Sequence, residues 1–151
     1  MYSDTRSLVA NDVMSFPVII GREKDRIRSI ASKMKKFNIS AVVIADGENK
    51  PVGIVTNGDI VERLVSKKRG LLFTKAKDAM TKPVITIRKE TRIDEAAKLM
   101  VSKKVKRLCV VDEKGILTGI VTEGDIVKNA SYLIDVLKAM IDTGYVNEDK
   151  L

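Results

Sequence analysis

Apolar residues along this chain fall in short clusters with regular spacing, and the whole succession is written twice. Ile27, Ile30, Ala31, Met34 and Phe37 recur at i, i+3, i+4, i+7 and i+10, the stripe of an amphipathic helix. Ile93, Ala96, Ala97 and Met100 repeat that stripe, and Thr91 with Asp94 has the spacing of a capping box at its start. Before each helix a β-branched run follows a proline, PVII at Pro17 and PVITI at Pro83, and predicts a strand. After each helix comes a continuous apolar run, AVVIAD or LCVVDE, as expected of a strand covered on both faces. Turn residues follow, DGENKPVG in the first case and the tighter DEKG in the second. A third strand, GIVT, then runs into a helix through Ile60, Val61, Leu64 and Val65. ANDVM and AKDAM read as short helical lead-ins. The predicted order is strand–helix–strand–strand–helix, twice, an α/β (α+β) arrangement.

The duplication is visible residue by residue. Residues 13–61 align with 79–127 without a gap, and about 18 of the 49 positions are identical. They include Met14/Met80, Pro17/Pro83, Arg26/Arg92, Ala31/Ala97, Met34/Met100 and Asp46/Asp112. The match ends in GIVTNGDIV (53–61) and GIVTEGDIV (119–127). Self-similarity of this length marks two copies of one structural unit. The chain divides into residues 1–66, a first repeat with its lead-in; 67–130, linker and second repeat; and 131–151, a tail. Leu133, Leu137, Met140 and Ile141 predict a further helix there, ending near Gly144.

Composition narrows the function classes. The chain of 151 residues is 44% hydrophobic and 32% charged, enough for a packed core and a solvated surface. No apolar run approaches the ~18 residues of a membrane span, and MYSDTRSLVAND has no signal-peptide pattern, so a cytoplasmic protein is expected. The single Cys109, inside LCVV, reads as a small buried hydrophobe. A net charge of +8 favours phosphate-bearing partners. Its basic residues are dispersed over Arg22–Arg28, Lys33–Lys36, Lys67–Arg69 and Lys103–Arg107, as on solvated helix faces.

MSFPVII and MTKPVIT, the helix after each, VKRLCVVDEKG, and the two GIVTxGDIV stretches together resemble the tandem CBS domain, or Bateman module. The resemblance covers residues 8 to 130. It implies two β-α-β-β-α repeats packed through their sheets about a pseudo-twofold axis, with two clefts between them. It also implies binding of an adenosine nucleotide (AMP, ADP, ATP or S-adenosylmethionine) as a regulatory ligand, with no cofactor, and pairing of modules into homodimers. By the resemblance, Thr122 and Asp125 face Ile19, Ile39, Ser40 and Ala41 across one cleft. Thr56 and Asp59 face Ile85, Val105 and Lys106 across the other, and Arg107 stands where the family contacts phosphate.

The residue chemistry agrees with that implication without requiring it. A carboxylate can accept two ribose hydroxyls, and a guanidinium reads phosphate through paired hydrogen bonds. The exposed N–H groups where strand gives way to helix favour an anion, and Thr56 or Thr122 adds a hydroxyl donor there. Thr-x-x-Asp is also a capping box, which accounts for Thr and Asp with no ligand at all. Capping does not call for Gly58 or Gly124, since glycine in a first helical turn costs ~0.8–1 kcal/mol relative to alanine. Repeat one carries Ser40 and Ala41 where repeat two carries Lys106 and Arg107, so the clefts differ, and the one bounded by Thr122 and Arg107 is the better candidate. With no histidine and no phosphate-loop motif, an enzyme is not expected. The competing classes are a basic nucleic-acid binder, which lacks an aromatic cluster for stacking, and a structural dimerisation module.

Overall fold

The computed structural model describes residues 8–65, 70 and 72–129, with 134–135, 138–139 and 142 in the tail. The predicted tail stripe (Leu133, Leu137, Met140, Ile141), its Gly144 cap and the basic Lys67–Arg69 lie outside the described residues.

The apolar stripes form the expected helices. In α2 (Ile27–Phe37) the residues Ile27, Ile30 and Met34 are buried, and in α5 (Ile93–Lys103) Ile93, Ala96 and Met100 are buried. Phe37, placed on the stripe by its spacing, is 45% exposed. It is the last helical residue, and Asn38 behind it turns left-handed (φ 51°) to close the helix. The continuous apolar runs form the middle strands β2 (Ala41–Ala45) and β5 (Arg107–Val111), with Val42–Ala45 and Leu108–Val111 buried. GIVT closes the third strands, β3 (Pro51–Thr56) and β6 (Leu117–Thr122). Each repeat is a three-stranded sheet, β1-β2-β3 or β4-β5-β6, parallel in its first pair and antiparallel in its second.

The first strands are shorter than the β-branched runs predicted. β1 is Ile20–Gly21 and β4 is Thr86–Ile87, each starting three residues beyond its proline. The Phe16–Pro17 and Lys82–Pro83 bonds are cis. Val18, Ile19, Val84 and Ile85 precede the strands and line the clefts between repeats, although the Ile85 carbonyl still accepts the Cys109 amide at 3.0 Å.

The Thr91–Asp94 capping box does not form. α5 starts at Ile93 with Arg92 as its cap; Thr91 Oγ1 accepts from the Arg88 amide at 3.0 Å, and Asp94 accepts from Arg92 Nε at 3.1 Å. The lead-ins are the physical reason. The Ile93 amide donates to the Leu8 carbonyl at 3.0 Å, so an orphan donor of α5 is satisfied by distant backbone. In repeat one the Ile27 amide donates likewise to Thr74, at 2.9 Å.

The lead-ins cross over. α1 (Ala10–Val13) packs Ala10 into the core of the second repeat with Ala96, Leu108 and Val121. α4 (Ala76–Ala79) packs Ala76 and Ala79 into the core of the first with Ile27, Ile30 and Val55. Ser15 and Ile120 exchange backbone hydrogen bonds, as do Thr81 and Ile54. Gly53 and Gly119 make this possible, since a Cβ on either would collide with Met80 or Met14 lying over it. After β3 and β6 the chain turns into α3 (Asn57–Ile60), which continues as a wider π-turn over Val61–Val65, and into α6 (Glu123–Lys128). No helix among the described residues is long and apolar enough to cross a membrane.

Candidate ligand site between the repeats

Strand pairing builds the site. The register of β5 against β6 sets Arg107 opposite Thr122 on one sheet. From there the Arg107 guanidinium crosses to the other repeat, where Nη2 donates to Ser40 Oγ at 2.7 Å. Beside this bridge opens a cleft of about 430 Å³, within the usual range of small-molecule sites. Ile19, Ile39, Ser40, Ala41, Lys106, Arg107 and Thr122, all named from sequence, line it together. Its lining combines the apolar Pro17, Val18, Ile19, Ile39, Val43 and Ile120 with the polar or charged Ser40, Lys106, Arg107, Thr122 and Glu123.

Asp125 follows Gly124, which also lines the cleft, and is half-buried. Its Oδ2 accepts from the Thr122 amide at 2.8 Å and from Thr122 Oγ1 at 3.1 Å, and its own amide donates to Thr122 Oγ1 at 3.3 Å. The capping box is thus fully formed, and it leaves Oδ1 with no partner among the described residues. Cap and ligand acceptor are compatible roles for one carboxylate, because they use different oxygens.

The mirror cleft is smaller, about 240 Å³. Thr56, Ile85, Val105 and Lys106 line it as expected, joined by Ile54, Thr81, Pro83, Val84, Lys104 and Arg107. Asp59 makes the same cap with Thr56, but it is only 8% exposed and its second oxygen is occupied: Thr81 Oγ1 donates to Oδ1 at 2.8 Å.

The CBS domain pattern matches residues 9–66 and again residues 76–132. This chain belongs to the CBS domain family. An uncharacterized protein of Methanopyrus kandleri is 39% identical over 129 residues, which are 85% of this chain and 66% of that one. An inosine-5′-monophosphate dehydrogenase of Methanocaldococcus jannaschii is 34% identical over 123 residues, 82% of this chain but 24% of the enzyme. The CBS pair therefore spans about two thirds of the first relative and about a quarter of the second. Among solved structures, a CBS domain pair in complex with 5′-methylthioadenosine and S-adenosyl-L-methionine has a TM-score of 0.72 at 30% identity, covering 80% of this chain and 98% of that chain.

Several residues of the larger CBS cleft escape sequence reasoning. Ser15, Pro17 and Val18 arrive from the segment before β1, and Asn38 and Val43 flank the residues named. Glu123 was legible in principle, because it is the variable position of GIVTxGDIV, with Asn57 in the other copy. Cys109 lies in β5 two residues from Arg107, yet it is fully buried, and burial pushes its thiol up to about 12. It is a neutral hydrophobe at ordinary pH, as its setting in LCVV indicated.

Proposed function

We propose that this CBS pair is a regulatory module that binds an adenosine-containing nucleotide in the cleft bounded by Thr122, Arg107 and Ser40. The observation that carries the reading is the Arg107–Ser40 bridge, which sets a phosphate-reading guanidinium at the junction of the two repeats. The apolar lining residues supply contacts for the base, and Asp125 Oδ1, just behind the lining, an acceptor for ribose hydroxyls. Arg107 and Lys106 supply the charge that a phosphate, or the carboxylate of S-adenosylmethionine, requires. The solved relative at 30% identity is described with two adenosine derivatives, which supports this ligand class.

Binding at a junction also provides a route to output. A phosphate that takes the Arg107 hydrogen bonds releases Ser40, and so favours an arrangement of the repeats in which the bridge is absent. The signal would pass to a second copy or to an effector protein; Phe37, Val101 and Val127 are exposed apolar side chains available for such a contact. Catalysis is not part of the proposal: the chain has no histidine to activate a hydroxyl, its thiol is buried, and the dehydrogenase match covers a quarter of that enzyme.

Calorimetric titration of AMP, ADP, ATP and S-adenosylmethionine into wild type and Asp125→Ala tests the proposal. At least one is expected to bind below millimolar, with a tenfold or greater loss in Asp125→Ala. No binding by any of the four removes the nucleotide reading; salt-sensitive binding of single-stranded DNA in its place would favour a nucleic-acid partner.

A further inference from the structure

The two copies of Thr-x-Gly-Asp differ in what holds the second oxygen of the aspartate. In repeat one, Asp59 Oδ2 is taken by the cap, from the Thr56 amide at 2.9 Å and Oγ1 at 3.1 Å. Oδ1 receives the Thr81 hydroxyl at 2.8 Å and lies 3.9 Å from Arg63 Nε. Arg63 is itself fastened to the crossed lead-in: Nη1 donates to the Ala79 carbonyl at 3.0 Å and the Met80 carbonyl at 2.6 Å, and Nη2 to Thr81 Oγ1 at 3.4 Å. A ligand hydroxyl could reach Asp59 only by displacing a hydroxyl and a guanidinium that five contacts hold in place. The guanidinium is engaged as well, through Nη1 on two backbone carbonyls and Nη2 on the Thr81 hydroxyl.

In repeat two the lock is absent. Asn129 stands at the position equivalent to Arg63, and its amide donates to the Asp125 backbone carbonyl at 2.8 Å rather than to a carboxylate. Ser15 stands in place of Thr81, and no hydrogen bond joins it to Asp125. The backbone gives no competing explanation. Gly58 and Gly124 have the same surroundings, with threonine Oγ1 the nearest atom to a built Cβ at 3.5 Å in both. The difference in cleft size, 240 against 430 Å³, runs the same way.

We infer that this chain holds one nucleotide rather than two, because Arg63 pins Asp59 and withholds its second oxygen from a ligand in the smaller cleft, so that position 63 sets the number of sites. The inference rests on the nucleotide-binding reading above. Calorimetric stoichiometry on the full chain, with AMP and with S-adenosylmethionine, is the test. Wild type is expected to bind one ligand per chain, and Arg63→Asn, which installs the residue of repeat two, is expected to bind two. The reciprocal transplant, Ser15→Thr with Asn129→Arg, is expected to weaken the wild-type site at least tenfold. Two ligands per wild-type chain, or one per chain in folded Arg63→Asn, overturns the inference while leaving the nucleotide reading intact. Should Arg63→Asn fail to fold by circular dichroism, the transplant decides, and wild-type affinity in it overturns the inference. Absence of binding to every adenosine compound overturns both together.

Discussion

Gly124 separates two accounts of the same nine residues. A Cβ there would find only Thr122 Oγ1, at the ordinary contact distance of 3.5 Å, so the fold does not require glycine at this position. Helix propensity then predicts that Gly124→Ala raises stability, by up to ~1 kcal/mol. Ligand affinity should fall at the same time, because Gly124 lines the cleft. A melting temperature that rises while the nucleotide Kd weakens several-fold is the expected pair of results; unchanged affinity would return the glycine to a neutral role. Gly119 has the opposite character, with Met14 Cγ 3.0 Å from a built Cβ and its sulfur closer still. Gly119→Ala is expected to cost about 1–3 kcal/mol, read by denaturant titration. Asp46 and Asp112 add a pH dependence. Backbone amides, chiefly of Lys50 and Ile116 respectively, hold both carboxyls below the ordinary aspartate value of about 3.9. The stability they contribute is present above that value and is lost as pH falls through their lower folded values. Asp46→Asn combined with Asp112→Asn should flatten the fall of melting temperature below about pH 4.

Among the elements, helices and middle strands were legible because a 3.6-residue stripe and a two-face apolar run are local signals. Ile27, Ile30 and Met34, and Val42–Ala45, lie in the core as their spacing indicates. The helix starts were not legible. Thr91 and Asp94 have the spacing of a cap, but the helix starts later, at Ile93, whose amide is satisfied by the carbonyl of Leu8, some 85 residues away in sequence. Local rules cannot see a backbone partner brought in by tertiary structure. The same crossing makes a prediction. Ala10, only 1% exposed, belongs to the core of the second repeat. Ala10→Asp buries an unpaired charge and is expected to cost about 3 kcal/mol or more. Hydrogen exchange should then quicken in Leu108–Val111 well before Val42–Ala45. Faster exchange in the first repeat instead would contradict the crossed packing.

At the scale of the whole molecule, the duplication and the inequality of its halves were both written in the chain. Arg107 against Ala41 is an inequality of the repeats, and the structure brings Arg107 to Ser40 across the larger cleft; charge does not separate the clefts, because Lys106 and Arg107 line both and Lys104 joins them in the smaller. The lock on Asp59 was hidden, because it needs Arg63 one helical turn on and Thr81 from the crossed segment, and both lie outside the nine-residue stretches. The nine-residue stretches are nearly identical, and the residues that set them apart lie outside them. The central claim, a nucleotide at the junction of two sister units, is tested most directly by a crystal structure of the chain grown with S-adenosylmethionine or AMP. The expected result is density for one ligand, its ribose against Asp125, its charged end against Arg107, and the Arg107–Ser40 hydrogen bond broken. Density confined to the Thr56 and Asp59 cleft, or an intact bridge with the larger cleft empty at saturating ligand, would contradict it.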